Sequence, residues 1–236
     1  MGWQALIIRI GGTLAGLTIL GVLFWSLSRW SRRHQIKQLE AQLVEHLRGI
    51  GVGAEEQKSK DIVTYTHEDD CAAILRHLVT ARVWLRGIES IEIWRITRKG
   101  EKKSVTLDEM TFVIIPEPGM SLNRIPILTN LVKTPATKGK NGFKWRGFEW
   151  GRLPLLVDRF KADKDLNNRL LGHFDSDRTD ELRITALNGD RIGITTSYSP
   201  QQLPSRGFLA CIEDIADHIH DYVAERNRTR ELQNSR

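Results

Sequence analysis

Between Ile10 and Leu27 the chain runs through eighteen residues, Ile-Gly-Gly-Thr-Leu-Ala-Gly-Leu-Thr-Ile-Leu-Gly-Val-Leu-Phe-Trp-Ser-Leu, without one charged side chain, and nothing else in the sequence matches it. At about 1.5 Å per residue a helix of this length covers roughly 27 Å, close to the ~30 Å of a bilayer's hydrocarbon core. In lipid a helix satisfies its own backbone groups, so glycine and threonine do not exclude one there. The flanks agree. Trp3 precedes the run and Trp25 and Trp30 close it, as tryptophan does at the headgroup level. Arg9 is near enough to the end to snorkel. The run therefore predicts a single transmembrane helix over residues 1–30.

It reads as an uncleaved anchor, because its core is too long for a secretory signal and no small-x-small cleavage site comes after it. Next in the chain stands a basic collar, Arg29, Arg32, Arg33 and Lys37, with no acid before Glu40. Basic residues beside a span stay on the cytoplasmic side. The N-terminus is thus expected outside and the C-terminal part in the cytoplasm, at the cell membrane. Cys71 and Cys211 form no CxxC pair and fit a reducing compartment. Gly12 and Gly16 have the GxxxG spacing that lets two helices approach closely, which suggests helix–helix contact between two copies.

The chain has 35 basic and 29 acidic residues. The first 37 residues hold five of the basic ones and no acid, so the remainder carries 30 against 29. The basicity belongs to the collar, and a global electrostatic footprint for nucleic acid is absent.

Beyond the run, Ile36, Leu39, Leu43, Leu47 and Ile50 make one apolar stripe at spacings of 3, 4, 4 and 3, predicting a helical stalk over residues 31–54 that Gly49, Gly51 and Gly53 break. Such a stripe either packs on its own domain or pairs with a second copy. The soluble domain is expected over 55–228, in two halves at 55–130 and 140–228, with a polar tail at 229–236. The order expected is a strand from Asp61 to Thr66 and a helix from Glu68 to Leu85. A strand over 88–97 and one from Lys103 to Leu107 come after it, then a buried strand from Thr111 to Ile115. Residues 116–142 read as an exposed connection. A helix from about Ala162 precedes a hairpin turning at Asn188-Gly189, the sequence most favourable for a two-residue hairpin loop. A last helix runs from Ser205 to Arg226. The fold class is α+β: a mixed, mostly antiparallel sheet with about three helices, behind the anchor and stalk.

Three stretches could carry chemistry. Asp175, Asp177 and Asp180 with His173 lack the glycine and glutamate of an EF-hand loop. The last helix carries Glu213, Asp214, Asp217, His218, His220 and Asp221, but no HExxH. Both read as solvated acidic surfaces, and no metal or cofactor is expected. The third stretch, Lys133 to Arg152, interleaves Lys138, Lys140, Lys144 and Arg146 with Phe143, Trp145, Phe148 and Trp150. Aromatics among cations suit an anionic membrane face or stacked bases. They equally suit a strand with aromatics inward and lysines in water. No phosphate loop, nucleophile elbow or kinase signature occurs.

The functional expectation is a non-enzymatic binding or scaffold module at the inner membrane face. Its partners would be the bilayer, an unidentified protein and a second copy, with nucleic acid disfavoured. The alternatives are an anchored hydrolase using the carboxylates and histidines of residues 163–221, and nucleic-acid binding through 133–152.

Overall fold

A computed structural model describes residues 3–57, 63–68, 71–99, 104–115, 129–137, 140–147, 156–176, 181–187, 191–201 and 203–234, with side chains placed for most of them beyond Gly21. Helix α1 is a single element from Trp3 to Gly49. After it come strands β1 (Ala54–Gln57), β2 (Val63–Glu68), β3 (Cys71–Leu85), β4 (Ile88–Lys99), β5 (Ser104–Ile114), β6 (Thr129–Thr137) and β7 (Lys140–Gly147). The chain then forms α2 (Leu156–Ala162), α3 (Lys164–Ser176), β8 (Glu181–Ala186), β9 (Ile192–Ser197) and α4 (Arg206–Asn234).

The anchor expectation is corrected. Among the described residues no helix is long and apolar enough to cross a membrane. Charge-free is a weaker property than apolar: four glycines, two threonines and a serine occupy seven of the eighteen positions between Ile10 and Leu27. The single-pass, signal-anchor organisation and the fold class built on it therefore have no support from the structure. The burial of Gly12 and Gly16 in α1 and the side chains of Arg29, Arg32 and Arg33 lie outside what the structure describes, and the side chain of Lys37 is exposed.

The stalk stripe packs on its own domain. Leu43 and Leu47 are fully buried, and Ile36, Leu39 and Ile50 pack against the same core. The helix ends where the glycines suggested, in a Schellman arrangement. The Gly51 N–H donates to the Arg48 carbonyl at 3.0 Å and the Val52 N–H to the Leu47 carbonyl at 2.8 Å, with Gly51 at φ 79°. Only glycine takes that backbone without a Cβ penalty.

All nine strands join one sheet in the order β1-β3-β4-β5-β9-β8-β6-β7, with β2 also on β3. Every described pairing is antiparallel. One face is the core. Ile91 and Ile93 of β4, Met110, Phe112 and Ile114 of β5, Ile192 and Ile194 of β9, and Leu182 and Ile184 of β8 are all buried on it. Helix α4 lays Phe208, Ile212, Ile215, Ile219 and Tyr222 onto that face, as its spacing predicts. Each fully buried aliphatic side chain contributes about 1.5–3 kcal/mol. Helices α2 and α3 pack on α4 and on β7.

Three further expectations change. The described part of the expected helix is strand, the end of β2 at Glu68 and β3 over Cys71–Leu85: Val79, Ala81, Val83 and Leu85 are buried while Arg82 and Trp84 are exposed, a period of two. The apolar residues there fit both periods, and pairing with β4 along nearly the whole of β3 decides the outcome. The two segments 103–107 and 111–115 are one strand, β5. The connection 116–142 contains β6 and the start of β7, and α4 continues to Asn234 through the expected polar tail. The 181–198 hairpin forms as read, pairing Leu182 with Thr196 through Ala186 with Ile192; its turn, Asn188-Gly189, lies outside the described residues.

Candidate functional site

Strand β5 is longer than the partner on its β9 side. It pairs with β4 from Ser104 to Val113, but with β9 only from Glu109 to Ile114. A last bond, Tyr198 N–H to the Asp108 carbonyl at 2.8 Å, closes that ladder. Where β9 departs, a cavity of about 570 Å³ opens. Its lining draws on both faces of the sheet, because Asp108 and Tyr198 fall in register with the buried side and Glu109 and Arg183 with the other.

Two ion pairs frame it. The Arg95 guanidinium donates twice to Asp108, Nε to Oδ1 at 2.7 Å and Nη2 to Oδ2 at 2.8 Å. The Asp108 hydrogen bond holds the Arg95 pKa above its usual value against the opposing effect of burial. Arg183 Nη2 donates to Glu109 Oε2 at 2.8 Å. Both pairs are part-exposed, with Asp108 at 17% and Arg95 at 43%, so solvent screens them. Behind them the Thr111 and Thr195 hydroxyls are bonded at 3.1 Å, and Thr196 Oγ1 donates to the Glu181 carbonyl at 3.3 Å.

The Tyr198 ring is buried, and its hydroxyl has no hydrogen-bond partner among the described residues. Burial, with the nearby Asp108 charge second, pushes its pKa up to about 12. It is therefore a neutral phenol at pH 7, able to donate and to accept. A buried polar group without a partner costs about 1–3 kcal/mol, and this hydroxyl, although its residue lines the cavity, is itself closed off from solvent.

The basic-aromatic stretch and the two acidic clusters do not lie here; of the wider 163–221 segment, Glu181, Arg183 and Thr195 to Tyr198 do, and a further signal existed in the sequence. Arg95 comes two residues after Ile93, and Asp108 two before Met110, so charges stand at positions whose strand neighbours are core.

The basic-aromatic stretch is divided between core and surface. Trp145 is buried; its ring stacks on Phe160 at 4.4 Å and its Nε1 donates to Asn167 Oδ1 at 2.7 Å. Lys144 and Arg146 flank it, exposed. Lys144, Trp145 and Lys161 line a smaller cleft of about 360 Å³ against α3. The side chains of Lys138, Lys140, Phe143 and Trp150 lie outside the described residues.

Asp163, Asp165, Glu213, Asp214, Asp217 and His218 of the 163–221 segment are engaged with partners of their own. Arg86 bridges Asp214 at 2.9 Å and Asp217 at 3.0 Å, Arg169 pairs with Asp165 and Asp214, and Arg206 with Glu213. Asp163 caps α3, accepting the Leu166 N–H at 2.9 Å, and meets His218 Nε2 at 2.9 Å. These bonds, the Leu166 amide first and His218 second, hold the Asp163 pKa below its usual value. Among the described residues no group of three metal-ligating side chains converges. Asp177 and Asp180, in the acidic turn after α3, lie outside the described residues.

Comparison of the chain with protein-family models, curated proteins and solved structures finds no match.

Proposed function

We propose that this chain is a binding module whose ligand site is the cavity between β5 and β9. The observation that carries this reading is a cavity framed by Arg95–Asp108 and Arg183–Glu109, with Tyr198 among its lining residues. Its volume lies within the usual range of about 300–1,000 Å³ for small-ligand sites, and a few convergent polar groups are what such sites use to fix orientation. The ion pairs are already formed, so the donors and acceptors are held in place before a ligand arrives and less ordering is needed on binding.

The hydrolase alternative draws less support. A general base must reach the proton it abstracts, yet Asp163 is committed to the first turn of α3 and Asp214 to two guanidiniums.

The test is a nitrogen-15 NMR titration of the full chain with glycerol, acetamide and acetate as small polar probes. Shifts clustering on Thr106 to Glu109 and Thr195 to Tyr198 are expected. Shifts clustering instead around Asp163 and His218, or turnover of a nitrophenyl ester or phosphate that Asp163→Asn removes, reject the binding reading.

A further inference from the structure

We infer that the cavity takes a neutral, polyhydroxylated small molecule of the saccharide class. This rests on the cavity being a ligand site and adds what the ligand is.

Charge narrows the choice first. Arg95 and Arg183 supply two positive charges, and Asp108, Glu109 and Glu181 supply three negative ones. Each arginine already faces a carboxylate. A phosphate, a carboxylate or a nucleic-acid backbone would enter a lining with a net negative charge whose cations are both engaged, so nothing would offset its desolvation.

The remaining polar groups match hydroxyls. A guanidinium–carboxylate pair sets N–H donors and oxygen lone pairs side by side in one plane. Two adjacent ligand hydroxyls can use such an edge together, one accepting from the guanidinium and the other donating to the carboxylate. The cavity has two such edges, at Arg95–Asp108 and Arg183–Glu109. Ser197 and Thr106 line it as well. A hydroxyl ligand can fill both roles at each of these groups.

Aliphatic side chains are scarce in the lining. Leu107 is the one such residue other than the threonine methyls, and it is half exposed.

Calorimetric and NMR titrations of the full chain with D-glucose, myo-inositol, inorganic phosphate and tri-alanine amide test the inference. Glucose or inositol should shift the amides of Thr106 to Glu109, and Glu109→Gln should weaken that binding about tenfold, the loss expected for one hydrogen bond to a charged acceptor. If phosphate or the peptide shifts those amides while both polyols leave them unmoved, the ligand class is wrong and the cavity reading stands. Polyol binding that survives Glu109→Gln unchanged also overturns the assignment. If none of the four probes moves those amides, the cavity fails as a ligand site and the saccharide assignment fails with it.

Discussion

The amide of Tyr198 donates to the carbonyl of Asp108 at 2.8 Å, and beyond that bond β9 leaves β5. The same two residues face each other electrostatically, since the Asp108 charge adds to burial in keeping the Tyr198 phenol protonated. One backbone bond thus both ends a strand pairing and sets the polar wall of the cavity.

Tyr198→Phe removes a buried hydroxyl that has no described partner. Without ligand the variant should be as stable as the parent or more so, by up to about 1–3 kcal/mol, because an unmet desolvation cost disappears. The parent should also lose stability between pH 10 and about 12. There the unfolded tyrosine has released its proton and the folded one has not, so the native state binds more protons and stability falls with rising pH. Urea denaturation across that range checks both points; a destabilised variant, or an unchanged slope with pH, contradicts them.

Asp163→Asn keeps a side chain that can cap α3 but removes the charge, and Asp163→Ala removes the cap. Alanine should cost about 1 kcal/mol at pH 7, asparagine less. Because the folded Asp163 pKa is lowered, the contribution of its charge is present above the ordinary carboxylate value of 3.8 and is lost as pH falls below it. The gap between parent and Asp163→Asn should therefore close in acid, as thermal melts at pH 7 and pH 3 would reveal.

Trp145 behaves as a core residue, with Lys144 and Arg146 as its solvated neighbours. Trp145→Ala should cost about 3–5 kcal/mol. Lys144→Glu and Arg146→Glu should each stay within about 0.5 kcal/mol. Equal effects from all three in chemical denaturation would show that the ring is not where the packing places it.

Gly51→Ala puts a Cβ on a residue at φ 79°. No atom stands within 4 Å of that Cβ position, so the cost is conformational alone, about 1–2 kcal/mol. Gly49→Ala, with equally open space and a helical backbone, should instead stabilise by up to about 1 kcal/mol. A pair of melts with the same sign for both variants would count against the C-cap assignment.

The local patterns that survived into the fold are those with one compatible period. The last helix repeats its apolar residues every three or four positions, and the 181–198 hairpin alternates around Asn-Gly; neither pattern suits another element. The stretch from Glu68 to Leu85 suits two. Its apolar residues satisfy helical and strand spacing alike, and the ladder to β4 settles the matter by pairing its backbone groups across the sheet. That choice depends on partners far along the chain, which no local window contains.

The composition and order of residues determined a mixture of helices and antiparallel strands with an amphipathic final helix, a helix broken at the glycines 49 to 53 and paired strands over 181–198, because propensity, capping and period act over a few residues. Only the tertiary structure decided that Arg95, Asp108, Glu109, Arg183 and Tyr198 surround one cavity. These residues come from β4, β5, β8 and the position just after β9. Their proximity is set by sheet register, a property of strand pairs and not of any single segment.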